Sequence, residues 1–251
     1  MRPDSALQST RALLFDAGNT LLRMNYPAIA LHLRGRGHAA EVEAIEEAEL
    51  HARVRLDADL ARGVSTEGRA AQDGYLAYLL EGLGITDPDE VEAAAAFRRS
   101  YNAPAGLFDR AVPEAQAILQ RVKAAGLTVG VVSNSNGNAH ALLEQAGLSD
   151  DLDFVIDSGV VGVEKPDPRI FELALRQAGV AAREAAYVGD LYSVDVVGSR
   201  AAGLHPILLD PRGYWGPRDC ALARDLAEVA HMVLGPDGGR GPGSAHERST
   251  E

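Results

Sequence analysis

The sequence predicts an α/β protein with a doubly wound, Rossmann-like parallel sheet and a helical domain inserted after the first strand. Between about residues 113 and 234, short apolar segments alternate with amphipathic segments, and within the apolar segments polar residues do not recur at every second position. This pattern is typical of parallel strands that helices cover on both faces. Between about 24 and 101 there is no strand pattern, and apolar residues recur at helical spacing. The two regions therefore predict two domains of different architecture.

The first strand is predicted at 11–15, directly before the helical region. That region is rich in Ala, Glu, Leu and Arg, and glycines interrupt it at the positions where helices are expected to end. We expect its glutamate pairs to lie on solvated helix faces. The helices are predicted at 26–33, 41–60, 66–83 and 87–99.

After residue 104 the predicted elements alternate. Strands are predicted at 127–132, 154–156, 185–188 and 206–209, and helices at 113–125, 139–146, 168–177, 194–202 and 225–234. Alternation at this spacing implies parallel strands joined by right-handed crossovers. We therefore predict a core domain at 1–22 and 103–234 and a helical domain at 23–102. The Gly-, Pro- and Ser-rich tail at 235–251 is expected to be disordered.

Composition limits the possible partners. The 251 residues are 46% apolar and 24% charged, as in a soluble globular protein, with a formal net charge of −12. Such a charge would repel phosphate backbones, so neither a nucleic acid nor an anionic membrane surface is an expected partner. No apolar run approaches membrane-spanning length, and Cys220 is the single cysteine. We expect a cytoplasmic monomer or homodimer.

The first candidate site is an acid at the end of the first strand. The apolar run before Asp16 stops abruptly, and Gly18 and Asn19 follow with turn chemistry. A carboxylate at the end of a buried strand lies at the rim of an open α/β sheet, where ligands bind. Taken alone, an Asp after an apolar strand is more often a turn former or a helix N-cap than a nucleophile.

Small polar residues end the next apolar strand. Ser133 and Asn134 follow the run at 127–132, and Gly137 comes shortly after them. A hydroxyl group and the backbone N–H groups of a tight turn suit a phosphate or carboxylate oxygen. The alternative is an ordinary strand-to-helix turn that Asn138 caps.

A lysine stands next to two prolines in the third candidate stretch. Lys165 precedes Pro166 and Pro168, and it is one of only two lysines in the chain. A cation held this stiffly would keep a neighbouring carboxylate ionised and balance a phosphoryl group. The alternative is a solvent-facing lysine in a loop.

The fourth stretch contains two acids after a strand. Asp190 follows the apolar run at 185–188, and Asp195 stands five residues later at the predicted start of a helix. Two carboxylates at this spacing can reach one point, and Mg²⁺ favours a site with few carboxylates, retained waters and a phosphate. The alternative is a turn former followed by a helix N-terminal charge.

These four motifs, in this order and each at a strand end, resemble those of the haloacid dehalogenase (HAD) superfamily. The resemblance extends from about Leu13 to Leu209, and the helical region resembles the family's helical C1 cap. It implies an HAD-like fold and a Mg²⁺-dependent hydrolase that acts on a small phosphorylated metabolite.

The resemblance also implies a role for each motif residue. Asp16 would be the nucleophile and a Mg²⁺ ligand, the carbonyl of Gly18 a second ligand and Asp190 a third, with Asp195 as the supporting acid of the metal site. Outside the metal site, Ser133 and Asn134 would bind the phosphoryl oxygens, and Lys165 would orient the nucleophile. The implied reaction is attack of Asp16 on phosphorus, which gives an aspartyl phosphate that water then hydrolyses.

One position departs from the family pattern. Most phosphatases of the family have an Asp two residues after the nucleophile as general acid and base, whereas this chain has Gly18. Such a group usually contributes about 10² to 10⁴ in rate. Two alternatives therefore stay open: a regulatory or binding protein that has lost turnover, and a dehalogenase-like C–halogen hydrolase. The phosphonate-cleaving branch needs a Lys in the cap, and this region has none.

Overall fold

A computed structural model describes residues 6–66, 68–101 and 106–235. The predicted tail at 235–251, apart from Gly235, and the predicted domain boundary at 102–103 lie outside the described residues. The division into two domains with these limits stays a prediction.

The main sheet confirms the predicted fold class. It has six parallel strands in the order β5-β4-β1-β6-β7-β8, with helices on both faces. The strands are β1 (Ala12–Phe15), β4 (Thr128–Ser133), β5 (Phe154–Asp157), β6 (Ala185–Gly189), β7 (His205–Leu209) and β8 (Ala221–Ala223).

The helices of the insertion all form at the predicted places. They are α1 (Tyr26–Gly35), α2 (Val42–Leu60), α3 (Arg69–Gly82) and α4 (Pro88–Tyr101). We call residues 24–109 the insert. The helices around the sheet are α5 (Ala115–Ala124), α6 (Ala139–Gln145), α7 (Ser158–Val161), α8 (Pro168–Ala178), α9 (Val197–Ala201) and α10 (Leu226–Leu234).

Several features differ from the sequence-based expectation, and one of them is the short helix α7. A short antiparallel ribbon of β2 (Leu22–Arg23) and β3 (Arg110–Ala111) joins the two ends of the insert. The sixth strand, β8, was not expected, and the predicted helix at 194–202 begins as a π-helix, Tyr192–Val196. Strands of two or three residues carry no readable periodicity, and a π-helix turn resembles an α-helix in sequence.

Apolar residues of β1 point alternately to the two faces of the sheet. Leu13 and Phe15 belong to a core formed with α5 and α10, whereas Leu14 packs with Phe171 of α8 on the other face. A separate core inside the insert includes Ile45. The central strand is therefore buried on both faces, which fixes the position of the residue that follows it.

Among the described residues, none of the helices combines the length and apolar character that crossing a bilayer requires.

Candidate active site

The sheet register brings separate parts of the chain to one rim. Phe15 of β1 pairs with Val131 of β4 on one side and with Val188 of β6 on the other. Asp16 follows β1 and Asp190 follows β6, so both leave the sheet at the same edge. This is the place where open α/β sheets bind ligands.

Lys165 is the buried cation at the centre of this rim. Its Nζ atom donates to Oδ1 of Asp16 at 2.6 Å, to Oδ1 of Asp195 at 2.8 Å and to the hydroxyl of Tyr187 at 2.9 Å. Burial alone would lower the pKa of the ammonium, but Asp16 and Asp195 together raise it well above the usual value. Lys165 therefore stays charged and orients both carboxylates.

The carboxylates at the rim are costly to ionise. Burial raises the pKa of Asp16 to about 6, although Lys165 opposes this shift. Burial likewise raises the pKa of Asp190 well above its usual value, against the opposing charge of Arg53. A further positive charge at this place would offset the cost of keeping these groups ionised.

Asp195 shapes the loop that carries Asp190. Its Oδ2 atom accepts hydrogen bonds from the backbone N–H groups of Asp190 at 3.1 Å and Leu191 at 2.9 Å. A Cβ atom on Gly189 would lie 2.3 Å from the carboxyl carbon of Asp195, so this position has room only for glycine. Both oxygens of Asp195 are thus engaged within the protein, which fits the supporting position that the sequence predicts for it.

The carboxylates fit a hard divalent cation. Asp16, Asp190 and Asp195 each offer one oxygen, and the three oxygens lie within 4.8 Å of one another. All three residues are buried. Oxygen donors at this density suit Mg²⁺. Asp16 and Asp190 would hold it, and Asp195 would support them.

Gly18 lies in the wall of a cavity above the rim. The cavity has a volume of about 270 Å³ and is lined by residues of both the sheet rim and the insert. The φ angle of Gly18 lies outside the left-handed region, whereas the neighbouring Asn19 adopts φ 52°. A Cβ atom on Gly18 would make ordinary contact with the ring of Phe108 at 3.7 Å. The backbone would accept a side chain here.

Ser133 and Asn134 both line the cavity, but their side chains are engaged differently. The amide of Asn134 hydrogen-bonds the backbone of Lys165 and the hydroxyl of Thr66 in the insert. Ser133 donates only a long 3.4 Å contact to the carbonyl of Asn134. The structure thus leaves the Ser133 hydroxyl better placed to meet a ligand than the Asn134 amide.

Several cavity residues were not identified from the sequence. Arg53 of α2 and Tyr75 of α3 line the cavity from the insert. Arg53 also pairs with Glu49, one turn earlier in the same helix. An i, i+4 Glu–Arg pair is usually found on a solvated face, so spacing alone did not identify it.

Comparisons with known proteins identify the family of the chain. A family model for haloacid dehalogenase-like hydrolases matches residues 10–203. The human haloacid dehalogenase-like hydrolase domain-containing protein 3 is 30% identical over 206 residues, which cover 79% of this chain and 81% of that protein. The phosphoserine phosphatase of Thermus thermophilus is 41% identical over 115 residues, 45% of each chain. The crystal structure of the L-2-haloacid dehalogenase RSc1362 superposes with a TM-score of 0.62 at 23% identity and covers 89% of this chain and 98% of its own.

Proposed function

The chain belongs to the haloacid dehalogenase-like hydrolases, and we propose that it is a Mg²⁺-dependent phosphatase of a small phosphorylated metabolite. The relatives named as phosphatases support this reaction class. The dehalogenases among the solved structures share the fold at low identity, which does not by itself favour C–halogen chemistry.

The observation that carries the proposal is the buried contact between Lys165 and Asp16. The ammonium binds Oδ1 of Asp16 at 2.6 Å and is itself held by Asp195 and Tyr187. An ionised carboxylate in a fixed orientation at a cavity wall is an activated nucleophile. We assign Oδ2 of Asp16 to the attack on phosphorus.

The reaction then has two displacements. The carboxylate of Asp16 forms a bond to phosphorus while the bond to the leaving oxygen breaks, and that oxygen keeps the electron pair. Water next attacks phosphorus, releases inorganic phosphate and restores the carboxylate. Lys165 holds Asp16 in position, and the hydroxyl of Ser133 binds a phosphoryl oxygen. Bound Mg²⁺ supplies charge neutralisation between the carboxylates and the phosphate.

Gly18 favours one competing function. Because no acid stands two residues after Asp16, the chain could be a binding or regulatory protein that keeps the site but has lost turnover. Both functions require phosphate binding, but only the phosphatase hydrolyses its substrate.

Two measurements test the proposal. Beryllium fluoride and Mg²⁺ together should bind at one equivalent per chain, because they imitate an aspartyl phosphate, and Asp16→Asn should abolish this binding. Hydrolysis of 4-nitrophenyl phosphate should be measurable and should stop with EDTA. Stoichiometric binding without any hydrolysis would favour the regulatory function, and the absence of both would contradict the site itself.

A further inference from the structure

A buried arginine of the insert faces the carboxylates of the site. Arg53 is 5% exposed and lines the same cavity as Asp16, Gly18 and Asp190. Its Nη1 atom lies 3.5 Å from Oδ2 of Asp190, which is longer than a hydrogen bond between such groups. This edge of the guanidinium group is therefore close to the site, but Nη1 makes no hydrogen bond to Asp190.

Glu49 holds the opposite edge of the guanidinium group. Nε of Arg53 donates to Oε1 of Glu49 at 2.9 Å, and Nη2 donates to Oε2 at 2.6 Å. Glu49 is fully buried and also accepts hydrogen bonds from Tyr26, from Tyr75 and from the amide of Asn19. The carboxylate is saturated with donors, so Arg53 has one fixed orientation.

The buried ion pair of Glu49 and Arg53 carries a cost in solvation free energy, which points to a use beyond stability. A buried ion pair loses the solvation of both charges, and apolar residues of similar volume often stabilise a fold equally well. The same arrangement is what catalysis by charge stabilisation requires, because a donor that is already oriented needs no reorganisation when charge develops. Asn19 lies in the loop that follows Asp16. Its amide donates to Glu49 and so connects the ion pair to the nucleophile loop.

We propose that Arg53 binds the leaving oxygen of the phosphate ester and stabilises its charge, in the place of the acid that Gly18 lacks. The inference rests on the proposed function. As the P–O bond breaks, the electron pair stays on the leaving oxygen, Nη1 of Arg53 donates a hydrogen bond to it, and solvent later supplies the proton.

The substrate class follows from the chemistry of this donor. Arginine stays protonated in proteins and does not give up a proton at neutral pH. Arg53 can therefore stabilise a leaving group that departs as an anion, but it cannot protonate a poor leaving group. The chain should hydrolyse aryl, enol and acyl phosphates, whose leaving groups are stable as anions, in preference to the phosphates of simple alcohols.

The test is a series of substituted phenyl phosphates whose leaving phenols differ in pKa. Arg53→Gln should lower kcat/KM by about 10²-fold for phenyl phosphate, the range for loss of one such donor; kcat/KM reports the step that expels the phenol, whereas kcat also includes hydrolysis of the common aspartyl phosphate. The loss should shrink as the phenol becomes more acidic, so the dependence of log kcat/KM on leaving-group pKa becomes steeper. Arg55→Gln is the matched control, because Arg55 lies on the same helix, is half exposed and pairs with Glu81. Its plot should run parallel to that of the wild type.

Arg53→Gln leaves Glu49 buried without its cation and can fail to fold. The double variant Glu49→Gln/Arg53→Gln removes both charges together and should show the same steeper dependence. Glu49→Gln alone tests the positioning role, with a smaller loss and an intermediate slope. A folded single or double variant that keeps the wild-type slope would overturn the assignment of Arg53. A wild-type protein that is inactive on every phenyl phosphate would instead overturn the proposed function, and the inference with it.

Discussion

The side-chain amide of Asn134 makes two hydrogen bonds with the backbone of Lys165. Its oxygen accepts from the N–H of Lys165 at 2.7 Å, and its nitrogen donates to the carbonyl at 2.9 Å. The same nitrogen also donates to the hydroxyl of Thr66 in the insert at 2.9 Å. Asn134 thus fixes the backbone that carries the central cation and connects it to the insert.

We predict that Asn134→Asp lowers both stability and turnover. A carboxylate can accept from the Lys165 N–H, but it cannot donate to the carbonyl, which leaves a partly buried acceptor unpaired. The expected cost is about 1 to 3 kcal/mol of unfolding free energy, measured by chemical denaturation. The exposed Asn136→Asp is the control for the added charge. Equal stability of the two variants would show that the hydrogen bond to the Lys165 carbonyl contributes little.

Asp16→Asn should separate chemistry from folding. An amide is a poor nucleophile, so turnover should fall to background. Burial raises the pKa of Asp16 from 3.8 to about 6, so the metal-free protein loses stability as the pH rises between these values, and the full cost of the ionised carboxylate applies above pH 6. We therefore expect metal-free Asp16→Asn to be at least as stable as the wild type at pH 8, as measured by calorimetric melting. A variant that melts far below the wild type would indicate a structural role for Asp16.

Mg²⁺ binding should depend on pH in a defined direction. Protons and the metal compete for the same carboxylates, and the raised pKa values of Asp16 and Asp190 favour the proton. Affinity should weaken progressively as the pH falls through about 6, because Asp16 takes up a proton there. Isothermal titration with MgCl₂ at several pH values measures this without any substrate. Equal affinity at pH 5 and pH 8 would contradict binding by these carboxylates.

Gly18→Asp should give the site a proton donor. The φ angle of Gly18 is outside the left-handed region and the added Cβ atom makes only ordinary contact with Phe108, so we expect the variant to fold. Alkyl phosphates need protonation of the leaving oxygen and should gain about tenfold to a hundredfold in rate, whereas aryl phosphates should gain little.

Gly18→Asn is the matched control, because it has the same shape without an ionisable proton. The measurement is the ratio of alkyl to aryl phosphate hydrolysis in both variants. A ratio that rises equally in the two variants would point to an effect of shape, and an unchanged ratio would mean that proton donation does not limit the reaction.

The sequence predicted the parts of the fold that depend on local periodicity. The strands that end directly before Asp16 and Asp190 and the strand that ends at Ser133 were all located, because fully apolar runs bounded by polar residues are distinctive. The β2–β3 ribbon and β8 were missed because two or three residues provide no period. The π-helix at Tyr192–Val196 depends on hydrogen bonds within the folded loop, which the residue pattern does not encode.

The candidate site was predictable only where a motif stands at a strand end. Lys165 was singled out by its prolines and by the scarcity of lysine, and the structure places it on Asp16. The interactions of Glu49 and Arg53 depend on how the insert packs over the sheet, which involves residues distant in sequence. Even the engagement of Asn134 with the Lys165 backbone reflects tertiary geometry rather than sequence spacing.

The β2–β3 ribbon has a consequence for the polymer physics of the chain. Leu22 pairs with Ala111 and Arg23 with Arg110, so the chain enters and leaves the insert at one point. The ribbon holds the two ends of the insert together. The entropic cost of closing this long loop is therefore offset locally by the ribbon and does not fall on the pairing of the sheet strands. A different helical domain could be grafted between these two pairs while β1 keeps its register with β4 and β6. The ribbon is thus a natural exchange point, at which the residues that the insert contributes to the cavity can change without disturbing the rim of the sheet.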